Sequence, residues 1–411
     1  MKIEFRKYDP GKDRDAACRI WREVGWIEKG KEEILDVFLE GCQSWVGTLA
    51  GEAEFIVTLA SGNLRYLNSL LPFSGVMGVV TSRVARKLGL AQRFTSQAIA
   101  ESVEMGAVVS GLGVFEQGFY NRLGYGNGGY EHIAYFDPSN LDLKKKFRVP
   151  VRFSENDYEK IHRARLSRRK RHGIISFDHP NITLADIKWT KKGFGLGYLD
   201  PKNNEITHHL WCSNQGGEHG PYFIKWMTFQ DYDQFLELIS LIGSFDDQVR
   251  LIGMIEPAEI QMQDLLKKPH LYRMITEKSK YASEIRASSW WQVRICNLEK
   301  AIKKVHLKIP DFSFNLKLSD PIESYIDTKY QWRGVGGSYI VELGKKSNLR
   351  KGENRKLPTL NCSVNAFSRL WLGVKPATGL AVTDQLKAPV SLLEKLNLAF
   401  RLPDPKPDWD F

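Results

Sequence analysis

Cysteine is scarce in this chain. Cys18, Cys42, Cys212, Cys296 and Cys362 are odd in number and far apart in 411 residues. That argues against a disulfide framework and for reduced thiols in a cytoplasm. Long apolar runs are also missing. None approaches the roughly 18–20 residues of a membrane span, so no membrane partner is expected. The opening stretch "MKIEFRKYDPGKDRD" is charged and has no apolar signal core. His208, His209, Cys212 and His219 lie near one another in sequence without the tight paired spacing of a zinc site, so no metal is expected. The net charge of +11 suits anionic ligands or, equally, solubility. Its densest run, "RARLSRRKRHG" (Arg163 to Gly173), has no interleaved aromatic for base stacking and no accompanying nucleic-acid motif. It reads as the exposed end of a helix and the loop after it, and no nucleic-acid partner is expected.

What is present reads as mixed α/β. "KIEFRKY" alternates as a strand, and "DRDAACRIWREVGW" puts Ala17, Ile20, Trp21 and Val24 on one helical face. Three or four strand-like runs follow, ending with "SGVMGVVTS". Next comes a helix predicted from Arg86 to Met105, then the buried-type strand "GAVVSGLGVF" and a short helix "QGFYNRLG" stopped by Gly124. "YEHIAYF" closes this region as a strand. The turn-rich, charged stretch "DPSNLDLKKKFRVP" marks a boundary. Domains are expected at 1–145, 146–297 and 298–411. In the second, "YFIKWMT", a helix and "VRLIGMI" repeat the strand–helix–strand order of the first, as a degenerate internal repeat would. "WWQVRICNLEKAI" leads into the third, a sheet with helices after it.

The chemistry concentrates after "SGVMGVVTS". Arg86, Gly89 and Ala91 spell R-x-x-G-x-A where strand passes to helix. The first amides of a helix lack intrahelical partners and carry partial positive charge, so they form a phosphate site wherever the backbone can be approached. Gly89 has no Cβ to block that approach, Ala91 is nearly as small, and Arg86 and Lys87 add charge. This loop is neither a Walker P-loop nor a G-x-G-x-x-G turn. At the matching place in the second region the loop reads "FQDYDQF", where Asp231 and Asp233 would repel a pyrophosphate. "KGFGLG" (Lys192 to Gly197) reads as a turn or bulge.

Strand, R-x-x-G-x-A, long helix, strand and "FYNRLGY", in that order, resemble the GNAT N-acetyltransferase superfamily. Two such regions and a sheet domain ending on "DWDF" resemble, over nearly the whole chain, the bacterial Eis (enhanced intracellular survival) family. "WWQVRICNLEKAI" and "LNCSVNAFSRLWLG" add to the likeness. The resemblance implies tandem GNAT domains followed by a sterol-carrier-protein-like α/β domain. It implies acetyl-CoA contacts from Val79, Val80 and Thr81, from Arg86, Lys87, Leu88, Gly89, Leu90, Ala91 and Gln92, and from Phe115 and Glu116. Tyr120 would be the general acid and the Phe411 carboxylate the general base. Arg83 stands where the family often has Pro, and Phe115 where a small residue is common. A homo-oligomer, specifically a hexamer, is implied as well.

The expected activity is an acetyl-CoA-dependent N-acetyltransferase in which a primary amine attacks the thioester directly. Aminoglycoside, polyamine and lysine amines all remain open as the cationic acceptor. The ammonium, near pKa 10.4, lies roughly 7 units above an ordinary α-carboxylate, about 9 kcal/mol at 1.36 per unit. The site must therefore lower the one, raise the other or relay the proton through water. Asp410, next to Phe411, would help attract a cationic acceptor. Pro403, Pro405 and Pro407 hold the arm before it extended, and Trp409 and Phe411 can anchor it. The alternative is a non-catalytic acyl-CoA- or lipid-binding protein that uses the third domain as an apolar pocket.

Overall fold

The computed structural model describes residues 2–411. The chain begins with β1 (Ile3–Lys7), α1 (Pro10–Glu23), α2 (Glu32–Glu40), β2 (Gln43–Leu49), β3 (Glu52–Tyr66) and β4 (Ser69–Thr81). It continues through α3 (Leu90–Glu104), β5 (Val109–Gly113), α4 (Gln117–Asn121), β6 (Gly126–Asn127) and β7 (Glu131–Phe136). The middle runs β8 (Val151–Phe153), α5 (Tyr158–Ser167), β9 (Ile175–Phe177), α6 (Pro180–Trp189), β10 (Gly193–Leu199) and β11 (Ile206–Asn214). After these come β12 (Tyr222–Thr228), α7 (Tyr232–Gly243), β13 (Ile252–Ile255), α8 (Pro269–Thr276) and β14 (Glu284–Ser288). The last stretch holds β15 (Trp291–Ile295), α9 (Leu298–Lys303), β16 (Phe312–Ser319), β17 (Gly337–Leu343) and β18 (Asn348–Lys351). It ends with β19 (Thr359–Ser363), α10 (Val364–Trp371), α11 (Ala377–Thr383), β20 (Leu386–Lys387) and α12 (Val390–Ala399).

Contacts divide the chain into two compact units. The first contains Met1–Gly129, His172–Asp178 and Ser289–Phe411, and the second contains Tyr130–Arg171 and His179–Ser288. The units do not follow the expected boundaries at 145 and 297: strands pair across the first, and the region after the second packs with the first unit.

The first unit holds two sheets. One runs β1-β2-β3-β4-β5-β15-β6, with β9 paired to the far part of β3. Only β4 and β5 are parallel in it, from Phe73↔Val109 to Val76↔Leu112. A parallel pair needs a crossover, and α3 supplies it. The helix packs Phe94, Ala98 and Ile99 into a core with Trp45, Phe55 and Leu112. Its outer side is held by the segment before β17: Arg93 and Gln97 bond to Asp327, at 3.4 and 2.8 Å, and Glu101 accepts from Tyr330 at 3.1 Å. The other sheet runs β18-β17-β16-β19-β20. Helix α10, after β19, reaches back to the first sheet. Its Asn365 donates to the carbonyls of Asn121 and Tyr125, both at 2.8 Å, and its Ser368 accepts from the Ile295 amide at 2.9 Å.

The second unit is one sheet ordered β14-β7-β13-β12-β11-β10-β8. Its single parallel pair, β12 with β13, flanks α7 as β4 and β5 flank α3. The strand–helix–strand order around α3 thus recurs around α7. Two strands lie elsewhere than expected. "YEHIAYF" forms β7 and pairs with β13 and β14 in the second unit, instead of closing the first region. "WWQVRI" supplies β15, which pairs with β5 and β6 in the first unit instead of opening the third region. The local patterns of both are apolar enough for either sheet, so only long-range pairing decides. "KGFGLG" is also corrected. It lies mostly in β10, paired with β8 and β11, because a Cβ at Gly195 would come within 2.7 Å of the Trp211 ring.

The basic run is less exposed than expected, and several of its side chains have partners. Arg165 is buried, ion-paired to Asp186 at 2.7 Å and stacked over Trp226, while Arg169 and Arg171 both pair with Glu259. On β11, His208 bonds Glu237 at 3.2 Å, and His209 bonds Thr228 and Trp226. These are structural contacts inside the unit.

Candidate active site

The site begins where β4 leaves its neighbour. Pairing with β5 stops at Val76↔Leu112, while β4 runs on to Thr81 with β3 alone. The register against β3 slips at Met77, between Thr58↔Gly78 and Leu59↔Val76. Such a bulge twists a strand locally, and from there alternate backbone groups of β4 face an unpaired edge. Val79, Val80 and Thr81 lie on this stretch. Val80 is buried, and Val79 packs against the core of Trp45, Phe55 and Leu112, so Val80 can offer a ligand only its backbone.

Beyond β4 the chain makes a short turn at Arg83–Ala85 and enters α3 at Leu90, four residues later than Arg86, where the sequence pattern begins the helix. The delay has a backbone cause. Lys87 and Gly89 both have positive φ, 64° and 75°, which no helix continues. Gly89 is therefore the N-cap and not a first-turn residue. No side chain caps the helix there, and a Cβ at Gly89 would meet nothing within 4 Å. Its glycine answers the backbone conformation and leaves the approach open. Arg86, Lys87 and Leu88 are exposed, Leu90 is buried in the core and Ala91 packs against it. The Gln92 Nε2 is buried without a hydrogen-bond partner among the described residues. An open helix N-terminus, an orphaned amide and two cations fit a phosphate-bearing group such as acetyl-CoA. Arg83, in place of Pro, donates its backbone N–H to Glu23 at 2.7 Å, a bond Pro could not make.

The corresponding helix of the second unit is built the other way. Asp231 is the N-cap of α7, and its carboxylate accepts from the Gln234 amide at 2.9 Å. An anion of the protein's own occupies that terminus. Asp233 follows in the first turn, paired with Lys145 at 3.1 Å.

Tyr120 lies on α4, just past the end of β5. Its ring is part-buried against Phe119, at 4.8 Å, and Tyr125, at 6.3 Å. Its hydroxyl makes no hydrogen bond among the described residues. Burial, with a smaller effect of the Glu116 charge, pushes the phenol up to about 12. Tyr125, by contrast, bonds Ser110 at 2.7 Å. Ser110 spends its one proton on the Ser74 carbonyl, so Tyr125 is the donor. Glu116 accepts from the Gly118 amide at 3.0 Å and caps α4, so its carboxylate already has a local role. Phe115 is 94% exposed and packs against nothing in the core.

Phe411 reaches the same end of β5. Gly113 is the last residue of that strand, and a Cβ there would collide with the Phe411 terminal oxygen. The Phe411 ring meets Phe73 and Phe177 edge-on at 5.9 and 5.8 Å. Asp410 is exposed beside it. Gly113, Phe73 and Phe177 were not singled out in the sequence. The legible trace was a run of glycines inside strand patterns, Gly75, Gly111 and Gly113, which marks close approach by another group. Phe177 packs over Gly75, and Phe73 over Gly111. Burial holds Cys212 at about 12 and Cys296 at about 11, so neither thiol is a ready nucleophile.

No curated protein is matched by the sequence. Among solved structures, a conserved protein of unknown function from Enterococcus faecalis V583, described as a probable N-acyltransferase, superposes with a TM-score of 0.80 at 16% identity, covering 100% of both chains. A GCN5-related N-acetyltransferase from Anabaena variabilis gives 0.78 at 14% identity, and Eis1 from Mycobacterium abscessus gives 0.76 at 12%, each with 100% of both chains covered. At these identities the likeness is one of fold. Residues 56–128, which span β4, the loop, α3, β5 and Tyr120, match the family model described as Acetyltransferase (GNAT) domain, so the chain carries the domain of an acyl-transferring enzyme.

Proposed function

We propose that the protein is an acetyl-CoA-dependent N-acetyltransferase of the Eis type. In this reading it transfers acetyl to a primary amine of a cationic acceptor of the aminoglycoside, polyamine or lysine kind. The observation that carries it is the uncapped N-terminus of α3 at Gly89, just beyond the point where β4 has left β5. Acetyl-CoA supplies an acetyl group activated as a thioester. The amides of Leu90, Ala91 and Gln92 would hold its pyrophosphate, with Arg86 and Lys87 adding charge. The free edge of β4 at 77–81 would pair with the ligand's amide-bearing arm. Tyr120 would donate a hydrogen bond to the departing sulfur, and the Phe411 carboxylate would receive the amine's proton. The second unit, with Asp231 capping α7, would be a GNAT-like region that binds no acetyl-CoA, and the third region would hold α3 and the arm in place.

The test is coenzyme A release when the full chain and acetyl-CoA are mixed with a panel of polyamines, aminoglycosides and lysine peptides. Turnover with at least one amine class is expected. Tight acetyl-CoA binding with no turnover on any class would favour a non-catalytic acyl-CoA-binding protein.

A further inference from the structure

We propose that Phe177, carried on β9, is a positioning residue that fixes Phe411 at the end of β5. The inference rests on the reading in which the Phe411 carboxylate accepts the amine's proton. Residues 172–178 lie within the sequence of the second region yet belong to the first unit. They pair with the far part of β3, from Gly62↔Phe177 to Leu64↔Ile175. The chain's last residues run along their other side in step. A Cβ at Gly173 would lie 2.6 Å from Pro405. The Ile175 amide donates to the Pro407 carbonyl at 2.9 Å. The Phe177 ring meets Trp409 edge-on at 5.5 Å and Phe411 at 5.8 Å. Each step advances two residues on both sides, as in a parallel pair of extended chains. Pro405 and Pro407 have no N–H to offer, so at these positions the arm can only accept. Pro405, Pro407 and Trp409 are buried, while Asp408 and Asp410 are exposed.

Phe177 is a firm reference point. It is fully buried, and a Cβ at Gly75 on β4 would stand 2.6 Å from its ring. The ring is thus wedged between β4 and the arm. The carboxylate end is located twice, by its ring on Phe177 and Phe73 and by its oxygen over Gly113. Removing the Phe177 ring frees the arm without touching the α3 loop.

The experiment compares Phe177→Leu with the parent chain on three readouts: release of Phe411 by a carboxypeptidase, kcat, and acetyl-CoA affinity by calorimetry. Losing its two ring pairs with the arm should speed phenylalanine release and lower kcat by about tenfold or more each, with affinity unchanged. Trp409→Leu, which leaves both sheets intact, should do the same and decides the matter if Phe177→Leu does not fold. Unchanged phenylalanine release in the folded variants overturns the proposal. Faster release with unchanged kcat upholds the positioning role and overturns the carboxylate-base reading instead.

Discussion

At the scale of single residues, the proposed reading leans most on Tyr120. A phenol at about 12 stays protonated at any physiological pH and is always a donor. It is also a weaker acid than a thiol near 8.5, so complete transfer to a free thiolate is uphill by roughly 3.5 units, about 5 kcal/mol. In the proposed mechanism Tyr120 would therefore serve better as a hydrogen-bond donor to the departing sulfur than as the source of a fully transferred proton. Tyr120→Phe should lower kcat by ~10²–10⁴ with acetyl-CoA affinity kept. Any alkaline limb that vanishes in this variant should lie near pH 12, and one near pH 9 would contradict the burial argument. Gly89 is the second such residue. Gly89→Asp adds a carboxylate at the N-cap, where Asp tolerates positive φ better than most side chains. Acetyl-CoA binding measured by calorimetry should be lost while the unfolding temperature moves little. Full affinity would remove the α3 terminus as the phosphate site.

Elements show why similar sequences receive different roles. Helices α3 and α7 both follow a strand and both cross to a parallel partner. One opens on a left-handed glycine with no cap, and the other on an aspartate that satisfies its own amides. The sequence displayed this contrast, since Gly89 and Asp231 can be read directly. It did not display where α3 starts, because Lys87 suits a helix and only its positive φ excludes it. A second element-scale effect concerns β11 in the second unit. Burial lowers His208 to about 4 and His209 to about 3. Both stay neutral in the folded chain, so unfolding takes up protons below the ordinary histidine pKa near 6.5. Their stabilisation is complete above that pH and declines as pH falls toward 3–4. The urea midpoint of the second unit's transition should therefore be lower at about pH 4.5 than at pH 7. Equal midpoints would mean that these rings are not neutral and buried in the folded chain.

Across the whole molecule, regions distant in sequence support the site. Arg294 on β15 is fully buried, paired with Asp320 at 2.7 Å and bonded to the Leu123 carbonyl three residues past Tyr120. Asp320 also accepts from the Val335 amide at 2.9 Å, so one carboxylate joins β15 to the third region. Asp320→Ala leaves a buried guanidinium uncompensated, which should cost about 3–5 kcal/mol. Urea unfolding of the full chain would measure this, and a loss under 1 kcal/mol would show that the pair is not buried as described. The Arg294 partner was not legible, because nothing local links residue 294 to residue 320.

The sequence alone determined which places are candidates for the chemistry. R-x-x-G-x-A after a strand, Tyr120 after the next strand, the acidic substitute at Asp231 and the proline-stiffened arm all follow from residue type and short spacing. Helix ends, turn residues and apolar periodicity act over a few positions, which is why they can be read locally. Tertiary structure alone decided which strands share a sheet. β7 and β15 each joined the sheet on the other side of an expected boundary, and residues 172–178 joined the first unit beside the arm. An apolar strand does not encode its partner. Pairing is selected by the backbone edges and packing faces left open once the rest has folded, and those belong to the assembled core and not to any one stretch of sequence.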